Sequence, residues 1–143
     1  MTGDKKSGEI FVALKAVIVH GGRVLIIKRS DYDDIGAGTW EFPGGKINFG
    51  ETLHECLIRE VREETELKIK VGDVLYTSTF CTSESRQVIV ITYLCESETD
   101  KIKLSFEHSD YLWANREQIQ HKLYRTILED MISNNVFDEI DIE

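Results

Sequence analysis

Apolar and polar positions divide this chain into short runs of strand character and two stretches with helical period. Phe11 to Val19 is rich in β-branched and apolar residues and predicts a strand. His20-Gly21-Gly22-Arg23 reads as a hairpin turn, with Val24 to Lys28 as the returning strand. Asp31 to Thr39 holds two glycines and three aspartates and predicts a loop. Trp40 and Phe42 then lead into the turn Pro43-Gly44-Gly45, and a helix follows at about 52–66. Val71 to Phe80 and Gln87 to Cys95 predict two more strands, separated by the polar connection 82–86, and Tyr111 to Ala114 predicts a short one. Across Arg116 to Ser133, the residues Ile119, Leu123, Ile127, Met131 and Ile132 recur at helical spacing and predict one amphipathic helix. Strands interleaved with two helices predict an α/β fold, a mixed sheet between helical layers in an α/β/α sandwich. Residues 1–8 read as a disordered lead, 9–137 as one domain, and 138–143 as an acidic, frayed tail.

The helix at 52–66 carries the chemistry. Thr52 followed by Glu55 fits a capping box, so Thr52 is the expected N-cap. Taking about 100° per residue and Glu60 as zero, Glu63 falls near −60° and Glu64 near +40°. On that scale Leu53, Cys56 and Leu57 fall near +20°, −40° and +60°. The three glutamates therefore continue the stripe that earlier turns bury, and should face the protein body or a cleft beside it. Glu55 and Arg62 point the other way, towards solvent. Like charges at this spacing cost a bare helix roughly 0.2–0.5 kcal/mol per pair, so the cluster calls for a cation. Oxygen-only ligands suit magnesium or manganese. Arg59 flanks the stripe and is placed to hold a glutamate by a bidentate pair. A solvated, incidentally charged face is the ordinary alternative, and the angles oppose it.

Composition narrows the partners. At 143 residues and 41% hydrophobic, the chain reads as one soluble domain. No apolar run reaches the length of a membrane span, and MTGDKKSGE is no signal peptide, so a cytoplasmic location is expected. Cys56, Cys81 and Cys95 are odd in number and lack metal-ligand spacing, and read as reduced core thiols. The net charge of −9 argues against a nucleic-acid polymer, which needs a basic patch, but not against a small phosphate substrate.

Gly45, Glu51, Arg59, Glu60, Val61, Glu63, Glu64 and Leu67 stand at the spacings of the Nudix box, and Trp40-Glu41-Phe42-Pro43-Gly44 resembles the lead-in usual before it. The chain thus resembles the Nudix hydrolases, MutT-like members among them. One position departs: Glu66 stands where the family has glycine. Glu66 must adopt a left-handed turn at about 1–2 kcal/mol, or the helix must run on and exit differently.

The resemblance implies a Nudix-type α/β/α sandwich and a metal-dependent pyrophosphohydrolase. Its substrate class is a nucleoside diphosphate linked to another moiety, cleaved by water attacking phosphorus. It implies Mg2+ as cofactor, with Mn2+ as a substitute. The implied metal ligands are Glu60, Glu63, Glu64 and the Gly44 carbonyl, with Gly45 in the same turn. Glu51 and Arg59 are implied to orient the ligands. Glu107, six residues before Trp113, matches the position of a general-base glutamate in the 8-oxo-dGTPase branch; the alternative is an ordinary surface carboxylate. His108 beside it is a weaker candidate, since a lone loop histidine is usually solvated. Arg29 ends the second strand, where similar proteins place an arginine near the nucleotide, and otherwise makes a surface ion pair. Phe42 is a candidate base contact, although a core position is favoured. Trp113 and Tyr124 read as packing residues. Tyr32 and Asp31 to Asp34 lie in a loop that is a candidate lid.

Oxidised or ordinary nucleoside triphosphates are the first substrate class, giving monophosphate and pyrophosphate. ADP-ribose or a dinucleotide is the alternative, as is a non-catalytic nucleotide-sensing module. Isoprenoid diphosphate isomerase chemistry would need a catalytic cysteine, and no cysteine here stands in such a context. A homodimer is left open.

Overall fold

One strand organises the molecule. β1 (Glu9–His20) runs parallel to β6 (Arg86–Ser97), from Glu9 opposite Arg86 to Val19 opposite Glu96. Its other edge is divided. Val19 and His20 pair with Val24 and Arg23 of β2 (Arg23–Arg29), while Ala13, Leu14 and Lys15 pair with Lys46, Gly45 and Gly44 of β4 (Gly44–Lys46). Gly21 and Gly22 join β1 to β2 with φ of 58° and 75°. Two positive φ values give the turn whose twist matches the strands it connects.

The computed structural model describes residues 6–32 and 36–143. β2 carries β3 (Trp40–Glu41) on one edge and β7 (His108–Ala114) in a further pairing, and β5 (Ile69–Ser83) lies outside β6. The helices are α1 (Leu53–Thr65), α2 (Arg116–Lys122), α3 (Arg125–Ser133) and α4 (Val136–Glu139). Strand alternation sends successive side chains to opposite faces. Leu14, Ala16, Ile18, Leu25 and Ile27 pack against Cys56, Leu57 and Val61 of α1. Val17, Val24 and Ile26 belong to the other core, with Ile119, Leu123, Met131 and Val136. The sheet is thus mixed and covered on both faces, which is the expected α/β/α architecture. Leu14 and Leu57 are fully buried, so truncating either to Ala should cost about 2–5 kcal/mol.

Three expectations change. The single helix over 116–133 is two. Leu123 is extended (φ −63°, ψ 140°), and the Tyr124 N–H donates to the Trp40 carbonyl at 3.0 Å, tying the break to β3. The apolar period runs through the break because Leu123 stays buried. Tyr124, read as a packing residue, is half exposed there.

The frayed end expected at 138–143 is held. Arg116 N–H donates to the Glu143 carbonyl at 2.7 Å, Glu143 N–H donates to the Gly22 carbonyl at 2.8 Å, and Ile140 is buried. At the other terminus residues 1–5 lie outside the described residues, and the Gly8 backbone packs against Ser85.

The turn expected at Pro43-Gly44-Gly45 is largely strand. Gly44 has φ 148°, and a Cβ there would strike the Leu14 carbonyl, so only glycine lets β4 lie this close to β1. Among the described residues, no helix is long and apolar enough to cross a membrane.

Candidate active site

α1 presents the acidic residues, and its ends are fixed locally. The Thr52 side chain accepts from the Glu55 N–H at 3.1 Å. At the other end Glu66 takes the left-handed conformation (φ 61°, ψ 13°), and its N–H donates to the Arg62 carbonyl at 2.9 Å. The first of the two exits open to the sequence is therefore the one taken. The segment after β6 caps the remaining carbonyls: Ser105 N–H donates to Glu64 at 3.0 Å, and Lys103 N–H to Thr65 at 3.1 Å.

Arg59 is the hub of the exposed half of the site. Its Nε and Nη2 donate to the two Glu51 oxygens at 2.6 and 2.9 Å, a bidentate pair. Its Nη1 donates to Glu60 at 2.8 Å and to Glu63 at 3.3 Å, and its Nη2 also reaches the Lys46 carbonyl at 3.2 Å. Hydrogen bonds from Arg59 and from the Asn48 N–H outweigh desolvation and hold the Glu51 carboxyl down at about 2. Gly45 lies against the Glu60 carboxylate, and any Cβ at 45 would collide with it.

The helical angles are half right. Glu64 is 8% exposed at its side chain and Glu60 18%, but Glu63 is 60% exposed and stays at the rim. Leu53 is exposed as well. Both residues extend past the edge of what the sheet covers.

In the buried half of the site, Lys15 and Glu41 were not foreseen beside Glu64, Arg29 and His108. Glu64 accepts from the Gly44 N–H at 3.3 Å. Burial pushes its carboxyl up to about 8, with Glu41 and Glu60 adding to the shift and Lys15 and the Gly44 N–H opposing it. Glu41 lies within ion-pair reach of Lys15 Nζ (3.4 Å) and Arg29 Nη1 (3.3 Å), and 2.9 Å from His108 Nε2. Burial works against its ionisation, but Lys15, the His108 hydrogen bond and Arg29 outweigh it and hold Glu41 at about 2. His108, expected on a solvated loop, is buried at the start of β7, with Nδ1 3.7 Å from Glu64 Oε2. The signals were present. Lys15 interrupts the apolar run Ala13-Leu14-Lys15-Ala16-Val17, and Glu41 stands between Trp40 and Phe42. A charge inside a buried strand needs partners.

The remaining candidates are dispersed. Arg29 joins the buried group through Glu41, opposite His108, at a register shift between β2 and β7. Glu107 is exposed, next in the chain to the buried His108, and its carbonyl accepts from Ser30 N–H at 2.9 Å. Phe42, weighed as a base contact, is a core residue at 1% exposure. Trp113 packs at the first core and donates from Nε1 to the Asp100 carbonyl at 2.9 Å. In the candidate lid, Tyr32 is exposed, while Asp33 and Asp34 lie outside the described residues. Cys56 and Cys95 are buried thiols, pushed up to about 11 and about 12 chiefly by desolvation, whereas Cys81 is exposed on β5 rather than in the core.

Chemically, the site is a set of carboxylate oxygens and peptide carbonyls beside a glycine strand. Among the described residues, no three His, Cys, Asp or Glu side chains are arranged about a point where they would hold a metal ion. Arg59 engages Glu60 and Glu63, and Glu64 turns to the Gly44 N–H.

The chain matches the model of the NUDIX domain over residues 11–134. It is 27% identical to the nucleoside triphosphatase NudI of Escherichia coli over 115 residues, covering 73% of this chain and 82% of that protein. The structure resembles the MutT protein of Methanosarcina mazei Go1 with a TM-score of 0.82 at 28% identity, over 96% of this chain and 100% of the other. It also resembles the E. coli ORF135 protein, with a TM-score of 0.72 at 25% identity over 92% and 94%. The acid-rich helix, the glycine strand beneath it and the match over most of the length lead to one assignment: this chain belongs to the Nudix family of hydrolases.

Proposed function

We propose that the chain hydrolyses a nucleoside triphosphate to monophosphate and pyrophosphate, with Mg2+ or Mn2+ as cofactor. The observation that carries this reading is the arrangement of Glu51, Arg59, Glu60 and Glu64 around Gly44 and Gly45. The donor set fits a hard divalent cation. It offers oxygens alone, and burial leaves the Glu64 carboxylate short of positive charge. Glu60, Glu63, Glu64 and the Gly44 carbonyl would hold the ion. When bound, it neutralises phosphate charge and lowers the pKa of a coordinated water.

The residues divide the remaining work. Arg59 and Glu51 fix the direction of Glu60, and Gly45 admits its carboxylate beside the strand. Glu107, exposed beside His108, takes the proton from the attacking water. Arg29, paired with Glu41, contributes positive charge towards the nucleotide. A nucleotide-sensing role is disfavoured because the acidic residues of the box are all present. Isomerase chemistry through a thiolate is disfavoured by the raised pKa values of Cys56 and Cys95. The substrate class is taken from the relative named as a nucleoside triphosphatase.

The test is pyrophosphate and phosphate release from ordinary and 8-oxo nucleoside triphosphates, ADP-ribose, nucleotide sugars and diadenosine polyphosphates, with Mg2+, Mn2+ or EDTA. Metal-dependent pyrophosphate release from a triphosphate is expected. Cleavage of ADP-ribose or a dinucleotide alone would replace the substrate class. No cleavage of any of them, with a ligand-induced thermal shift, would favour the sensor.

A further inference from the structure

Resting on the metal-hydrolase reading, we infer that His108 is a positioning residue that, braced by Glu41, fixes the Glu64 carboxylate and thereby sets the affinity for the divalent cation. The imidazole lies between two acids on different elements. Nε2 is 2.9 Å from Glu41 Oε2, and Nδ1 is 3.7 Å from Glu64 Oε2. The His108 side chain is 5% exposed, and its Nδ1 has no hydrogen-bond partner. A buried ring nitrogen in that state calls for an explanation. The group that faces it is the Glu64 carboxylate, 3.7 Å away and just beyond hydrogen-bond length.

The far side of the ring is anchored. Glu41 is gripped by Lys15 and Arg29 as well as by Nε2. The backbone is anchored too. His108 pairs with Arg29 at the start of β7, and its N–H donates to Ser105 at 3.3 Å. Ser105 N–H in turn donates to the Glu64 carbonyl at 3.0 Å. The loop that carries His108 is therefore fastened to the same residue that its ring faces. This arrangement fits the orientation of a ligand better than activation of water, because the ring is 5% exposed and lies between two buried carboxylates. Partners that orient a ligating side chain typically change metal affinity about 10–100-fold when lost.

The experiment is Mn2+ binding by the full chain, followed by electron paramagnetic resonance, with melting temperature as the control for folding. The variants are Glu64→Gln, His108→Gln and His108→Asn. A glutamine amide reaches the Nε2 position and keeps the Glu41 contact; an asparagine amide reaches the Nδ1 position and keeps the Glu64 contact. The expected result is at least a tenfold loss of Mn2+ affinity in His108→Gln, with partial rescue in His108→Asn, which faces Glu64 but lacks the Glu41 brace. Wild-type affinity in His108→Gln, with binding lost in Glu64→Gln, overturns this inference alone. A wild-type chain that binds no Mn2+ overturns the metal reading and this inference with it. If His108→Gln does not fold, the imidazole 15N resonances of the wild-type chain decide the matter during Mg2+ addition. Nδ1 should move while Nε2 stays, and an unmoved Nδ1 overturns the inference.

Discussion

Arg59 reaches from the second turn of α1 back to Glu51, ahead of the helix, and holds both oxygens of that carboxylate at 2.6 and 2.9 Å. The same guanidinium holds Glu60 and Glu63. One side chain thus sets the spacing between the loop and the helix face, and a planar fork is needed to do it. A lysine is a point charge and cannot grip two oxygens in one plane. Arg59→Lys should therefore lower kcat/KM about 10²-fold while shifting the melting temperature little. Pyrophosphate release and thermal melts check both halves. A lysine variant with near-native turnover would show that charge alone suffices.

Glu64→Gln keeps the size and the contact with the Gly44 N–H but cannot ionise to ligate a cation. Metal-dependent turnover should vanish with the fold intact, as read by pyrophosphate release and circular dichroism. Near-native rates would mean that the ligand assignment is wrong.

Glu41 makes stability depend on acid. Its folded pKa of about 2 lies below the ordinary glutamate value of 4.5. The unfolded chain therefore binds the proton first as pH falls. The contribution is complete above about pH 4.5 and is lost as pH falls towards about 2, and it is of the order of 3 kcal/mol. Urea midpoints measured from pH 6 to 2 should fall over that window in the wild-type chain. Glu41→Gln should start lower and show a flatter profile.

Glu66 holds a left-handed turn without being glycine. Glu66→Gly should relieve about 1 kcal/mol of backbone strain and raise the melting temperature by about 2–4 °C. Turnover should stay nearly unchanged, because Glu66 points to the exposed Lys103 at 3.9 Å rather than into the site. A large change in kcat would reveal a role for this carboxylate.

What the sequence made legible was local. The Thr52 cap, the acidic face of α1 and the Arg59 pairing all lie within one helix and the loop before it, so spacing alone predicts them. The Lys15–Glu41–His108 group escaped because its members lie 26 and 67 residues apart, on strands that only the sheet brings together. The break at Leu123–Tyr124 escaped for a similar reason. Its cause is the Trp40 carbonyl, far upstream, and the apolar period gives no sign of it. Glu63 was placed too far inward because angles describe the helix and not the edge of the sheet beneath it.

β4 also bears on time. Ala16 N–H donates to the Pro43 carbonyl at 2.9 Å, Ile47 N–H donates to the Val12 carbonyl at 2.9 Å, and the glycines between them are in ladder register with β1. Loops opening freely would exchange their amide hydrogens in moments. A glycine segment stitched to the central strand exchanges only when its bonds to β1 open. The glycine strand beside the acidic helix is thus set by its ladder with β1, and amide exchange at Gly45 and Ile47 should be as slow as in the β1–β6 ladder.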